Sequence, residues 1–166
     1  MPIHLPPLSR RRFIAGGLRA GAGLLLGHEL FAADKPVDPH TWALLADPHI
    51  AADREKVLRG VVMSKNLTAV GRELLELPRR PAAVLLNGDC AFNTGEPADY
   101  AVLTELLDPI RQAPLPVHLT LGNHDNREHF WAAVRATDPV KRPVVDRHVG
   151  LLPSERANWF LLDSLE

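Results

Sequence analysis

Five polar residues stand at spacings that suit metal-assisted hydrolysis. Asp47 and His49 flank Pro48, Asp89 follows Gly88, and Asn123-His124 follow Gly122. The proline stiffens the chain between Asp47 and His49, so one loop can offer a carboxylate oxygen and an imidazole nitrogen to one ion. Asp89 has two oxygens and can bridge two ions. Asn123 adds a neutral carbonyl oxygen. Such a mixed oxygen and nitrogen shell suits Mn, Fe or Zn better than a thiophilic ion. Two ions about 3.5–4 Å apart serve in-line displacement at phosphorus, lowering the pKa of a bound water and neutralising the phosphoryl oxygens. His124 is then a candidate to protonate the leaving oxygen, because imidazole titrates near neutral pH. Asp125 is expected to accept a hydrogen bond from its other ring nitrogen and fix the tautomer.

The elements that must position these residues follow a regular rhythm. Thr41 to Ala46 is a short apolar run ending at Asp47 and predicts a buried strand. Glu55 to Leu77 has apolar residues at helical spacing and ends at Pro78. Ala82 to Leu86 predicts a second strand, ending in Asn87-Gly88-Asp89. Pro97 to Gln112 predicts a helix with proline in its first turn. Val117 to Leu121 predicts a third strand, Arg127 to Ala136 a third helix, and Asn158 to Leu162 a fourth strand ending at Asp163. This βαβαβαβ order argues for an α/β fold with a largely parallel sheet. Right-handed crossovers put the C-terminal strand ends on one edge, where open α/β sheets bind ligands. Three polar loops thereby converge without any appeal to kinship. The segment 138 to 157, rich in proline and charge, reads as a long loop.

The three motifs Asp47-Pro48-His49, Gly88-Asp89 and Gly122-Asn123-His124-Asp125, in that order and each after a strand, resemble the calcineurin-like metallophosphoesterase superfamily. The likeness covers residues 40 to 166 or so. It implies the first half of an αββα sandwich and two divalent or trivalent metal ions. It also implies that Asp47 and His49 hold the first ion, that Asp89 bridges, that Asn123 holds the second, and that His124 acts on the substrate or leaving group. Arg127 completes a G-N-H-D-x-R run that resembles the class III cyclic nucleotide phosphodiesterase branch. It is read evenly as a phosphate contact or as the opening of the third helix.

The family pattern continues with a further metal-binding histidine and a G-H-x-H motif, and this chain stops at Glu166. The resemblance therefore implies a truncated form, short of three histidine ligands, with a weakly held second ion and low activity. Two rivals follow. One is a non-catalytic remnant, either a bare fragment or one half that pairs with a separate chain, with a separate C-terminal half or a homo-oligomer as the possible partner. The other is a module that holds one ion without turnover.

Residues 9 to 14, Ser-Arg-Arg-Arg-Phe-Ile, precede an apolar run from Ala15 to Leu26 and then Phe31-Ala32-Ala33. A charged region, a short apolar region and small residues make an export-signal pattern, and Arg10-Arg11 resemble the twin-arginine pair. We therefore expect a signal over 1–33 read by the twin-arginine machinery, a linker over 34–40, a phosphoesterase domain over 41–166, and a periplasmic or cell-surface location. The net charge is -1, which leaves no electrostatic footprint for a nucleic-acid polymer. The expected partner is a phosphate ester.

Blander readings apply elsewhere. Asp47 and Asp89 taken singly could be turn residues or helix caps; their convergence with the third loop argues otherwise. Cys90, the one cysteine, reads as a small buried residue rather than a nucleophile. His118 reads as a packed strand residue, His129 and His148 as surface or loop residues, and His40 as linker. Trp42, Trp131 and Trp159 read as core or core edge. Asn93 and Tyr100 carry no motif.

Overall fold

The structure of the chain, a computed structural model, describes residues 35–134, 144, 146–163 and 165. The expected export signal over 1–33 and the end of the third helix past Val134 lie outside the described residues.

A parallel sheet with strand order β1-β4-β5 forms the centre, built from β1 (Val37–Ala46), β4 (Arg80–Asn87) and β5 (Val117–Leu119). Two short strands, β2 (Val57–Leu58) and β3 (Val61–Val62), pair antiparallel ahead of the first helix. Between them Arg59 and Gly60 both have positive φ, at 49° and 84°, as a two-residue type I′ hairpin turn requires. That hairpin occupies the segment where the sequence suggested the helix already began. Helix α1 runs over Met63–Glu76, α2 over Pro97–Gln112 and α3 over Arg127–Val134.

Strand β4 is central, and its run from Ala83 to Leu86 is buried throughout. Successive side chains on a strand point to opposite faces. Val84 and Leu86 enter a core with Leu67, Leu103, Leu107 and Phe130 of the helices. Leu85 points the other way, where it meets Leu152, Leu161, Trp42 and Trp159. Helix α1 lies close on α2 because Gly71 leaves room for Ile110: a Cβ there would sit 3.3 Å from Ile110 Cδ1. Helix α2 starts at Pro97 with a reciprocal cap between Glu96 and Asp99.

The α/β class and the parallel sheet stand as the sequence suggested. The last strand departs in detail. Asn158–Leu161 (β7) pairs antiparallel with β6 (Gly150–Pro153) and forms its own two-stranded sheet. A tight turn closes this hairpin, with the Ser154 N–H and hydroxyl both donating to the Ala157 carbonyl at 2.9 and 2.7 Å. Pairing with a neighbour a few residues away closes a much shorter loop than a crossover would. The proline-rich composition of 138–157 conceals β6.

Strand β1 begins at Val37 rather than Thr41, and its register shifts between Asp38 and Trp42. The Asp38 carboxylate fills the irregularity by accepting from His40 N–H and the Thr41 hydroxyl, both at 3.0 Å.

Candidate metal centre

Pairing between β1 and β4 continues past both strand ends. His49 N–H donates to the Asp89 carbonyl and Ile50 N–H to the Cys90 carbonyl, each at 3.0 Å, and Ile50 bridges Ala91 in parallel. The loop bearing His49 is thus zipped to the loop bearing Asp89. Ala52 N–H, a little further on, donates to Asp99 Oδ1 on α2 at 2.7 Å.

The backbone of these loops is strained. Among the described residues four non-glycines have positive φ: Asp47 at 51°, His49 at 42°, Asp89 at 46° and Arg59 at 49°. Three of the four are expected metal ligands. A left-handed residue other than glycine costs free energy and persists only where its surroundings over-determine it.

Two glycines bring the second and third loops together. A Cβ on Gly122 would sit 2.2 Å from Asp89 Oδ1, and one on Gly88 would meet the Gly122 backbone at 3.2 Å. Within that approach His124 N–H donates to Asp89 Oδ1 at 3.0 Å. Asp89 Oδ2 faces His49 Nε2 at 3.8 Å. The His49 and His124 rings meet edge to face with centroids 5.0 Å apart. One donor atom from each of His49, Asp89 and His124 falls within 4.8 Å of the others. The Nδ1 of His49 is buried without a hydrogen-bond partner, a costly state for a polar atom, while Nε2 is the ring nitrogen that faces Asp89. These donors fit a divalent ion of the Mn, Fe or Zn kind.

Of the expected ligands, His49 and Asp89 therefore come together. His124, expected to act on the substrate, joins them. Asp47, which is exposed, stands outside that three-donor group, and Asn123 is exposed on the neighbouring loop.

The second ring nitrogen of His124 has a partner other than the one expected. Its Nδ1–H donates to the Asn93 carbonyl at 2.8 Å, which leaves Nε2 as the nitrogen free of that bond. The Asp125 carboxylate is spent elsewhere, accepting from Ala91 N–H (3.0 Å) and the Tyr100 hydroxyl (3.0 Å) on one oxygen, and from Cys90 N–H (3.1 Å) and Gly122 N–H (2.8 Å) on the other. The reason is geometric: the carboxylate turns inward, where three backbone donors from two loops would otherwise go unpaired.

Cys90 is fully buried, and burial, then the charges of Asp125, Asp89 and Asp47, push its thiol well above the usual range. It stays protonated and inert, as expected for a packed cysteine. His118 is buried in β5. His129 donates from Nδ1 to the Gly95 carbonyl at 2.7 Å. His148 corrects the surface reading: it is buried, donating from Nε2 to the Leu119 carbonyl at 2.8 Å and accepting from Trp131 Nε1–H at 3.3 Å. Arg127 opens α3, and its guanidinium makes a two-pronged pair with Asp163, at 2.8 and 3.0 Å.

The sequence assigns no role in the site to Asn93, Tyr100, Asp99 or Asp163. Asn93 acts through its backbone carbonyl, which has no sequence signature. Tyr100 left one clue, as the lone tyrosine of the chain on the apolar side of a helix.

The model of the calcineurin-like phosphoesterase family matches residues 40–162. The chain belongs to that family. Among curated relatives, a probable cyclic nucleotide phosphodiesterase of Rhodococcus erythropolis is 29% identical over 68% of this chain and 37% of its own length. A cAMP/cGMP dual specificity phosphodiesterase of Mycobacterium tuberculosis is 31% identical over 70% of this chain and 37% of its own. A glycerophosphodiester phosphodiesterase of Enterobacter lignolyticus is 30% identical over 58% and 34%. The chain spans little more than a third of these relatives' length.

Proposed function

We propose that this domain hydrolyses phosphate esters, phosphodiesters in particular, with metal ions held at the loops after β1, β4 and β5. The observation that carries the reading is the strain. Backbone in the left-handed region is concentrated at Asp47, His49 and Asp89, beside converging donors from His49, Asp89 and His124. The names of the three relatives support a phosphodiester over a phosphomonoester.

Bound ions of the Mn, Fe or Zn kind would supply an activated water and neutralise charge on the phosphoryl oxygens. In our reading His49 and Asp89 hold an ion, with Asp47 and Asn123 completing the surroundings of two. His124 presents Nε2 toward the same point, oriented through Nδ1 by the Asn93 carbonyl, and hands a proton to the leaving oxygen. Asp125 fixes the two loops against each other. With His49 and Asp89 the two expected ligands that come together among the described residues, we expect one ion to bind more firmly than the second and turnover by the chain alone to be slow.

That same count favours a second reading, in which the domain holds one ion without turnover until a further polypeptide or a second copy supplies the remaining ligands. We also read residues 1–33 as a twin-arginine-type export signal, from Arg10-Arg11 and the apolar run after them. It would place the domain in the periplasm or at the cell surface. A reporter fused after Ala33 that stays in the cytosol of a bacterial host would remove that part.

The test is metal content by mass spectrometry, together with hydrolysis of bis-p-nitrophenyl phosphate in Mn²⁺. Bound metal, with turnover abolished by Asp89→Ala and by His124→Ala while the latter keeps its metal, supports the enzyme. Metal without turnover, unchanged by His124→Ala, supports the binding module. A chain that takes up no metal ends both.

A further inference from the structure

We propose that Tyr100 is a positioning residue for the metal-binding loops, a role that rests on the reading of those loops given above. It lies on α2, outside every motif, and is fully buried. Its hydroxyl donates to Asp125 Oδ1 at 3.0 Å and accepts from Asn126 N–H at 2.8 Å. The remaining acceptor capacity of Asp125 holds the backbone of Cys90, Ala91 and Gly122. One phenol oxygen therefore references the loop after β4 and the loop after β5 to a rigid helix.

The third segment at this junction runs from Asn93 to Gly95. A Cβ on Gly95, whose φ is 68°, would sit 2.3 Å from Asn126 N and 2.6 Å from the Tyr100 hydroxyl. The carbonyls of this segment hold the rings of His124 and His129. The hydroxyl thus backs the stretch that orients His124, while Asp125 holds Cys90, next to the strained Asp89. Strained ligands keep their place only while such supports are complete. Burial and then the Asp125 charge hold the phenol well above its usual range, so it remains a donor at all working pH. Removing the hydroxyl alone should leave the ring packed edge to face on Phe130, 5.7 Å away between centroids.

The test uses the full 166-residue chain with Tyr100→Phe, Gly95→Ala and, as a control for plain core damage, Leu103→Val, a fully buried residue of the same helix. Two quantities are read: Mn²⁺ affinity by calorimetric titration, and amide exchange by NMR. Tyr100→Phe is expected to weaken Mn²⁺ binding about tenfold, the usual scale for losing a ligand's supporting partner. It should also speed exchange at Cys90, Ala91, Gly122 and Asn126 with helix amides unchanged. Gly95→Ala, which crowds the same hydroxyl from outside, is expected to do the same. Leu103→Val is expected to lower the unfolding midpoint and leave Mn²⁺ affinity where it is. Native affinity in Tyr100→Phe, or an equal loss in Leu103→Val, overturns the proposal. If the unaltered chain binds no Mn²⁺, the functional reading falls, and exchange then decides alone. Faster exchange confined to those four amides keeps Tyr100 as the support, whereas a uniform rise overturns it.

Discussion

The loop edge of the central sheet and the β6–β7 hairpin are built on opposite terms. At the loop edge every segment is tied to at least one other: β1's loop to β4's by backbone bonds, both later loops to Asp125, and Asp125 to α2 through Tyr100. Strained residues survive there because so many partners agree on one geometry. The hairpin buries Leu152 and Leu161 against Leu85, Trp42 and Trp159, leaves the Trp159 indole N–H buried without a partner, and turns Leu151 and Phe160 outward at 49% and 67% exposure. A firm polar tie is the Arg127–Asp163 pair, aided by His148 N–H at 2.7 Å from the same carboxylate. The geometry of the loop edge is thus set locally by residues 47–126, whereas the hairpin is tied at its ends, by the Arg127–Asp163 pair, the His148 ring on Leu119 and the exposed His40–Glu155 contact, and carries apolar surface that nothing among the described residues covers.

The hardest blow to this contrast is Asp125→Ala. It would strand three backbone donors and the Tyr100 hydroxyl in a buried setting. We expect a loss of about 3–5 kcal/mol in urea unfolding, the scale for breaking a buried charged network, together with loss of metal uptake. A loss under about 1 kcal/mol, ordinary for a point substitution, would show that the loop edge holds without its central carboxylate and is no better braced than the hairpin.

Much of that edge was legible in the sequence because the signals are local. Apolar runs that end in Asp47, Asp89 and Asn123, with glycines directly before the last two, predict strands, tight loops and a shared edge from periodicity and turn chemistry alone. The roles of side chains within the edge were less legible. Asp125 follows His124 and so suggested a bond to its ring, yet the carboxylate turns inward, and a backbone carbonyl from Asn93 takes the ring instead. Backbone acceptors leave no trace in residue type. The hairpin was half hidden for a different reason. Gly150–Pro153 is too short and too flanked by proline and charge to show alternation, so the sequence points its partner strand to the parallel sheet. The sequence leaves Arg127 even between phosphate and helix, because nothing in it links that residue to Asp163, 36 residues later.

Arg127→Ala should separate the two regions, with the next largest effect. The Asp163 side chain is fully buried in the pair, and removing its partner should cost about 3 kcal/mol. Exchange protection should fall across β6 and β7 while Cys90, Ala91 and Gly122 keep theirs; equal loss in both regions would mean that they unfold as one. Acid should do the same more gently. Burial alone would raise the Asp163 carboxyl, but bonds from Arg127 and from the His148 and Leu165 N–H groups outweigh it and hold it at about 2. Because that lies below the free value of about 3.9, the stabilisation is complete above about pH 4 and is lost as pH falls toward 2. Protection of the hairpin amides should fall through that window, and Asp163→Asn should flatten the fall.

The smallest expected effect sharpens the comparison most. Phe160 sits on the outer face of the hairpin across from Leu151. If that face is open in solution, Phe160→Thr removes little buried surface and keeps a β-branched residue in a strand. The unfolding midpoint should then move by no more than about 0.5 kcal/mol, while binding of an apolar dye falls, since a smaller exposed patch offers it less. A larger loss would mean that Phe160 is covered in solution. A midpoint that rises with protein concentration in the unaltered chain, and stops doing so in Phe160→Thr, would place a second copy on the hairpin, because only association makes stability depend on concentration. In that case the hairpin would be as well braced as the loop edge, by a neighbour instead of by its own chain.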